Sequence, residues 1–318
     1  MLGQKLARRL VDGRLFHGSV IDKIVLADRV APAGDGGVIV GTDADITSAQ
    51  ECDRLVAEKP DVIFHLAAVV SGQAEENFDL GYQVNVEGTR QLCEAIRRAG
   101  DDYVPRLVFS SSVAVFGGPY PEIIGDSFHL APRTSYGAQK AIGELIICDY
   151  SRKGFVDAVA IRLPTVCVRP GEPNAAASGV FSNILREPLT GKQATLTVSP
   201  DVSMVFCSPR TAVGYLIHAA ELDTALLGTD RRLTMPGVAA TIADQIQALG
   251  RVAGESAVSL ITENIDPVAE ATVRAWDFPG FTAERASALG FVGDTSVDDL
   301  IRIFIEDDAP PHERGNTA

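Results

Sequence analysis

Three residues near the middle of the chain could together move a proton. Ser112 closes the run Phe109-Ser-Ser-Ser112, which continues Val-Ala-Val-Phe-Gly117, and the segment Tyr136-Gly-Ala-Gln-Lys140 follows. Tyrosine and lysine four apart on a helix share a face. An ammonium beside a phenol favours the phenolate, so a tyrosine placed this way can act as a base near neutral pH. A lone Tyr-x-x-x-Lys is an ordinary surface pair on many helices. Here it comes 24 residues after Ser112, with Pro132 and Ser135 at the start of the helix. A serine run at the C-terminal end of a central strand also lies where open α/β sheets bind ligands.

The elements that must hold these residues can be read from the spacing of apolar side chains. Leu2, Leu6, Ala7 and Leu10 recur at helical intervals, and Gly13 ends the run. Then come a β-rich stretch over Lys23–Asp28, another over Gly37–Gly41, a helical window over Ser48–Lys59 and a nearly continuous apolar run over Asp61–Ala67. Helical spacing over Glu76–Ala99, a strand over Arg106–Ser110, a helix over Ser135–Arg152 and a strand over Asp157–Arg162 continue the alternation. Strands without polar alternation, separated by helices, predict a parallel sheet covered on both faces. The expected fold is therefore a Rossmann-type, doubly wound α/β sheet. The rhythm breaks after Pro164: Arg169–Asn174 and Ala175–Ser178 read as loop, and shorter elements follow. Helices over Pro209–Leu222, Thr241–Ala253 and Asp298–Glu306 complete the reading. We expect a nucleotide-binding unit over 1–165, a mainly substrate-binding region over 166–306 that returns some elements to the sheet, and a frayed tail over 307–318 with Pro310, Pro311 and Gly315.

Composition narrows the class. Against 42 acidic residues stand 28 Lys and Arg, a formal charge of −14 over 318 residues, so phosphate backbones and anionic lipid surfaces are unfavourable partners. The five cysteines, Cys52, Cys93, Cys148, Cys167 and Cys207, are scattered with no C-x-x-C pair, which fits reduced thiols in a cytoplasmic protein. No apolar run is long enough to cross a membrane. The histidines His17, His65, His129, His218 and His312 are isolated, so no metal site is expected. The serine run lacks a Gly-x-Ser-x-Gly elbow, which leaves hydrolase chemistry unsupported.

Taken together, these residues resemble the extended short-chain dehydrogenase/reductases, the superfamily that includes nucleotide-sugar epimerases. The resemblance implies that Tyr136 takes a hydroxyl proton, that Lys140 binds the nicotinamide ribose and lowers the tyrosine pKa, and that Ser112 holds the substrate oxygen. A bound oxidised nicotinamide would add a second positive charge beside the phenol. Asp28, closing its strand, matches the acceptor for an adenosine ribose hydroxyl, which implies NAD rather than a phosphorylated cofactor. Asp45-Ile46 resembles the pair that contacts adenine. His65-Leu-Ala-Ala68, with Leu66, Ala67 and Ala68, resembles the strand end under the cofactor, and Asn85-Val-Glu-Gly-Thr89 the helix segment beside it. Gly3, Ser110 and Pro164 complete the implied cofactor set.

The second half is similar to the D-erythronate dehydrogenase group of that superfamily. The matching segments are Arg162-Leu-Pro-Thr-Val-Cys-Val-Arg-Pro-Gly171, Ala176-Ala-Ser-Gly-Val-Phe-Ser-Asn183, Arg186-Glu-Pro-Leu189 and Ser208-Pro-Arg-Thr-Ala-Val213. This implies NAD-dependent oxidation of the C2 hydroxyl of a small sugar acid to the 2-oxo acid. Arg169, Arg186 and Arg210 lie in the expected substrate region, where a guanidinium can clamp a carboxylate through two hydrogen bonds. Ser111, Ser178 and Asn183 are candidates for the substrate's oxygens. The superfamily also implies homodimers, built on the helix bearing Tyr136 and its neighbour over Glu76–Ala99.

The chain departs from the family at its start. The family opens with a strand and a Gly-x-x-Gly-x-x-Gly turn, whereas Met1-Leu-Gly3-Gln matches only the third glycine. We expect a start codon placed on the order of ten residues late, with a truncated, inactive chain as the alternative; without the strand, unpaired backbone predicts poor solubility. Two rival functions share the same residues: a nucleotide-sugar epimerase or dehydratase that keeps NAD bound through its cycle, and a non-catalytic dinucleotide-binding relative.

Overall fold

A computed structural model describes residues 1–13, 15–16, 18–171 and 178–309. The expectations for residues 172–177, for Pro310, Pro311 and Gly315, and for His17 and His312 fall outside the described residues. In chain order, the elements that position the site begin with α1 (Leu2–Gly13), β1 (Ile24–Asp28), β2 (Ile39–Asp43), α2 (Ala49–Val56) and β3 (Val62–His65). Next come α3 (Gly88–Arg98), β4 (Arg106–Ser112), α4 (Ser135–Arg152), β5 (Asp157–Leu163), β6 (Thr165–Val166) and α5 (Gly179–Leu189). The remainder comprises β7 (Ser203–Cys207), α6 (Pro209–Glu221), β8 (Arg232–Thr234), β9 (Val238–Thr241), α7 (Ile242–Ala253) and α8 (Val297–Asp307).

Four of the strands form one parallel sheet in the order β8-β5-β4-β3. Its inner strands lack polar alternation because both faces are covered. Along β5, Ala158 and Ala160 face α2, α3 and α4 through Cys93, Ile96 and Ile147, while Val159 and Ile161 face α1 and α6 through Leu6, Leu216 and Ala220. All four β5 residues are buried. The period-2 geometry of a strand thus sends alternate side chains into two separate cores, and the doubly wound expectation is met.

β1 and β2 form their own parallel pair. Among the described residues no ladder joins β1 to β3. α1 spans the two sheets, packing on β1 and burying Leu6 in the cluster that includes Phe64 and Leu66.

A third core lies beyond β5. β7 pairs antiparallel with β9 and parallel with β6. Its apolar side chains Met204 and Phe206 pack with Phe181 and Ile184 of α5, Leu249 of α7 and Phe304 of α8.

One expectation is corrected. The single helix expected over Glu76–Ala99 is broken: Asn77 caps a short turn over Phe78–Gly81, a wider π-type turn runs over Tyr82–Glu87, and α3 follows. The break belongs with the work of Asn85, whose amide is turned inward onto a neighbouring backbone, and such wide turns mark functional positions in many helices. The first of the shorter elements expected after the loop that ends at Ser178 is α5, over Gly179–Leu189. Val180, Phe181, Ile184 and Leu185, all buried, carry the 3.6-residue period that would have revealed it.

Candidate active site

The strand register sets the crevice. His65 lies opposite Phe109, and Ser112 opposite Leu163, so the segments Leu66–Ala68, Ser110–Ser112 and Pro164 all emerge at the C-terminal edge of the sheet. Ser110 Oγ donates to the His65 carbonyl at 3.2 Å, which ties two of these ends together. Asn85 holds the exit of β3 further along: its Oδ1 accepts from Val69 N at 2.8 Å, and its Nδ2 donates to Val69 O at 3.1 Å and to Gln139 Oε1 at 2.7 Å. Gly3 sits against this edge, since a Cβ there would lie 3.8 Å from Leu66 Cδ1.

Asp28 closes β1 with an exposed carboxylate whose Oδ1 accepts from Arg29 N at 2.7 Å. Asp45 turns its carboxylate onto Thr47, accepting from both the backbone N–H and the hydroxyl, and these bonds hold it below the ordinary aspartate range. Ile46 packs against Gly88 so closely that a Cβ on Gly88 would lie 2.8 Å from its Cγ2.

α4 carries the other half of the site. Thr134 caps it by accepting from Gly137 N at 3.1 Å, and Ser135 N donates to Glu75 Oε2 at 2.8 Å. Lys140 is buried, and its Nζ donates to the Ser110 carbonyl at 2.8 Å while standing 4.7 Å from the Phe109 ring and 5.8 Å from the Tyr136 ring. Ser112 caps the short turn Val113–Val115, accepting from Ala114 N at 3.1 Å. That turn presses on α4: a Cβ at Gly137 would fall 2.1 Å from the Ala114 carbonyl oxygen. Only glycine after Tyr136 lets the helix approach the serine strand this closely.

The electrostatics follow from burial. Desolvation pushes the Tyr136 phenol up to about 12, opposed by its hydrogen bond to Ser112 and by the charge of Arg169. Desolvation pulls Lys140 down to about 8, opposed by the Glu144 carboxylate. The tyrosine is thus a neutral phenol in the ligand-free chain, and added positive charge beside it is what makes it a base.

Alternation along β4 separates the three serines. Ser110 and Ser112 face the crevice, whereas Ser111 is buried on the other side and donates to Glu144 Oε1 at 2.5 Å. Glu144 in turn takes Arg162 in a two-point pair, Nε at 2.9 Å and Nη2 at 2.8 Å. Ser111 is therefore corrected from a substrate contact to part of a buried polar layer beneath the crevice. Glu144 and Gln139 were missed by sequence reasoning. Glu144 stands one turn after Lys140, the spacing that could have found it.

The expected arginines divide. Arg169 is near enough to Tyr136 for their charges to interact; its Nη2 donates to Ser178 Oγ at a long 3.4 Å, and burial and the neighbouring Arg186 charge lower its pKa. Among the described residues no carboxylate pairs with it. Arg186 supports it from below, donating to the Arg169 carbonyl at 3.1 Å, to Asn183 Oδ1 at 2.7 Å and to Glu187. Asn183 is thereby engaged with Arg186. Arg210 is not part of the cluster: it is bound to Glu306 and Asp307 on the surface, and that reading is withdrawn.

Comparison with known proteins places this geometry. The family model described as "NAD dependent epimerase/dehydratase family" matches residues 1–222. A protein of Cupriavidus necator named D-erythronate dehydrogenase is 45% identical over 312 residues, 96% of this chain and 95% of that protein. One of the same name from Haemophilus influenzae is 40% identical over 96% of each. A solved structure from Agrobacterium tumefaciens, described as a nucleoside-diphosphate-sugar epimerase, is 50% identical with a TM-score of 0.92, covering 96% of this chain and 91% of that one.

Proposed function

The chain belongs to the NAD dependent epimerase/dehydratase family, and we propose that within it the protein is an NAD-dependent dehydrogenase that oxidises the C2 hydroxyl of a small sugar acid, such as D-erythronate, to the 2-oxo acid. The observation that carries this reading is Arg169. A half-buried guanidinium with no carboxylate partner among the described residues, close to the base, is costly unless the substrate brings the anion. A sugar acid supplies it one carbon away from the hydroxyl to be oxidised.

The crevice fits the dinucleotide. Asp28 offers an exposed carboxylate for ribose hydroxyls at the end of β1, Ala67 and Ala68 bring small side chains just after β3, and Pro164, buried, directly follows β5. Lys140 is held between Ser110 and Tyr136, placed to reach the nicotinamide ribose. NAD, when bound, supplies the hydride acceptor and a positive ring. The chain's own residues do the rest. Ser112 holds the C2 oxygen, Tyr136 takes its proton, and the Lys140 ammonium keeps the tyrosinate accessible near neutral pH. Arg169, braced by Arg186, fixes the carboxylate, with Ser178 beside it. The proton goes to Tyr136 and the hydride leaves C2, so the products are the 2-oxo acid and NADH.

We place the working enzyme in the cytoplasm as a homodimer, with residues 1–165 binding NAD and 166–306 forming the substrate side. No described helix is long and apolar enough to cross a membrane. Leu145 on α4 is 58% exposed, and Phe78, in the turn over Phe78–Gly81 that packs on α4, is 57% exposed, which suits a helical face covered by a second copy.

The deciding experiment is NADH formation from NAD and D-erythronate, run beside other sugar acids and nucleotide sugars. The relative from Agrobacterium tumefaciens favours a second reading, nucleotide-sugar epimerisation. Tightly bound NAD after purification, interconversion of a nucleotide sugar and no net NADH would establish that one instead.

A further inference from the structure

A second polar cavity lies at the outer edge of the sheet, away from the crevice. It measures about 320 Å³ and is walled by Arg162, Arg232, Arg285, Asp126, Asp230 and Thr234. The volume is at the lower end of small-ligand sites.

Its wall is assembled from three parts of the chain. Arg162 and Thr234 are register partners on β5 and β8, and both are buried, each 4% exposed. Arg285, from a short helix over Glu284–Ala288, donates to the carbonyls of Leu227, Asp230 and Arg232 and is fixed by Asp126, whose Oδ2 accepts from its backbone N–H. Arg232 is held by Asp230 through Nε and Nη2.

The donors are only partly used. Arg162 gives Nε and Nη2 to Glu144, and Arg232 gives the same two groups to Asp230, leaving both Nη1 groups without a hydrogen-bond partner among the described residues. The Thr234 hydroxyl is buried with no hydrogen-bond partner among the described residues. A buried hydroxyl without a partner is unfavourable, and native structures rarely leave one alone. Asp126 and Asp230 are already engaged by Arg285 and Arg232, so acceptor oxygens from outside are what the cavity lacks.

We propose that this cavity is a binding site for a small oxyanion, a carboxylate or a phosphate, held by Arg162, Arg232 and the Thr234 hydroxyl. It is separate from the catalytic crevice, because Arg162 reaches it from the far side of the Glu144–Ser111 layer. The proposal does not rest on the dehydrogenase reading.

The test is a calorimetric titration of the full chain, without NAD, using inorganic phosphate in one arm and acetate, a carboxylate without the hydroxyls of a crevice substrate, in another. Saturable binding is expected in at least one arm, weakened about tenfold or more by Thr234→Val and by Arg232→Gln. Tyr136→Phe and Arg169→Met, which alter only the crevice, should leave that binding unchanged. The two arms identify whether the natural ligand is a phosphate or an organic acid. Absence of saturable binding in both arms overturns the proposal, as does binding that Arg232→Gln and Thr234→Val leave intact or that Arg169→Met removes. Circular dichroism of each variant verifies that the fold is kept.

Discussion

Lys140 donates to the Ser110 carbonyl at 2.8 Å and holds its ammonium 5.8 Å from the Tyr136 ring, so the backbone of one central strand fixes the charge that governs the base. Tyr136→Phe removes the proton acceptor and little else. Its kcat should fall by about 10²–10⁴-fold, the range for general-base catalysis, with NAD affinity within about twofold. Near-full turnover in Y136F would refute the role.

The same pair fixes a pH dependence. Oxidation needs the phenolate, so kcat/KM must rise with pH toward an apparent pKa that belongs to the coupled pair. Burial, opposed by the Ser112 hydrogen bond and the Arg169 charge, leaves the phenol at about 12 in the ligand-free chain, and further positive charge beside it must bring it down. Lys140→Met should move the rising limb upward by about one unit or more. An unmoved limb in K140M would show that the lysine acts only through ribose binding.

Arg169→Met should raise KM for the sugar acid by roughly 10- to 100-fold, the value of a charge-assisted pair, while leaving the dissociation constant of NAD unaltered. Arg210→Met, on the surface with Glu306 and Asp307, should change neither. Fluorescence titration of NADH and steady-state kinetics on both variants separate the two arginines.

Much of this site was legible because its rules are local. Tyr136 and Lys140 share a helix face by spacing alone, and the continuous apolar strands predicted a sheet covered on both sides. What sequence could not supply was the third dimension of the serine run. Ser110, Ser111 and Ser112 look equivalent in a string, and only the pleat sends Ser111 down to Glu144. Arg210 failed for a related reason, since its partners Glu306 and Asp307 stand nearly a hundred residues away. The π-type turn at Tyr82–Glu87 has no signature in apolar spacing, because its cause is a tertiary bond from Asn85 to Val69.

Gly137 is another residue whose importance only packing reveals. Gly137→Ala places a methyl 2.1 Å from the Ala114 carbonyl, a backbone atom that cannot swing aside. α4 must back away from the turn after Ser112, taking Tyr136 with it. A stability loss of about 1–3 kcal/mol is expected from overpacking, with kcat reduced more than the melting curve alone explains. A variant as active and stable as the parent would mean that the turn relaxes freely.

His65 contributes to the loss of stability in acid. Its ring is buried against Phe109, 2.9 Å from Thr89 Oγ1, and burial, reinforced by the Lys140 charge, pulls its pKa from 6.5 down to about 3. The unfolded chain therefore takes up a proton on this residue below about pH 6.5 while the folded chain does not. Stability contributed by the neutral ring is fully present above that pH and is lost as pH falls toward 3, with a slope approaching 1.4 kcal/mol per pH unit for the one proton. His65→Gln keeps a hydrogen-bonding side chain near Thr89 but cannot titrate. Urea melts at a series of pH values between 7 and 4 should show a shallower decline for H65Q than for the parent, whatever the absolute stability of the variant. Parallel declines would assign the acid sensitivity to carboxylates such as Glu94, which its Arg97 and Tyr150 hydrogen bonds hold at about 2.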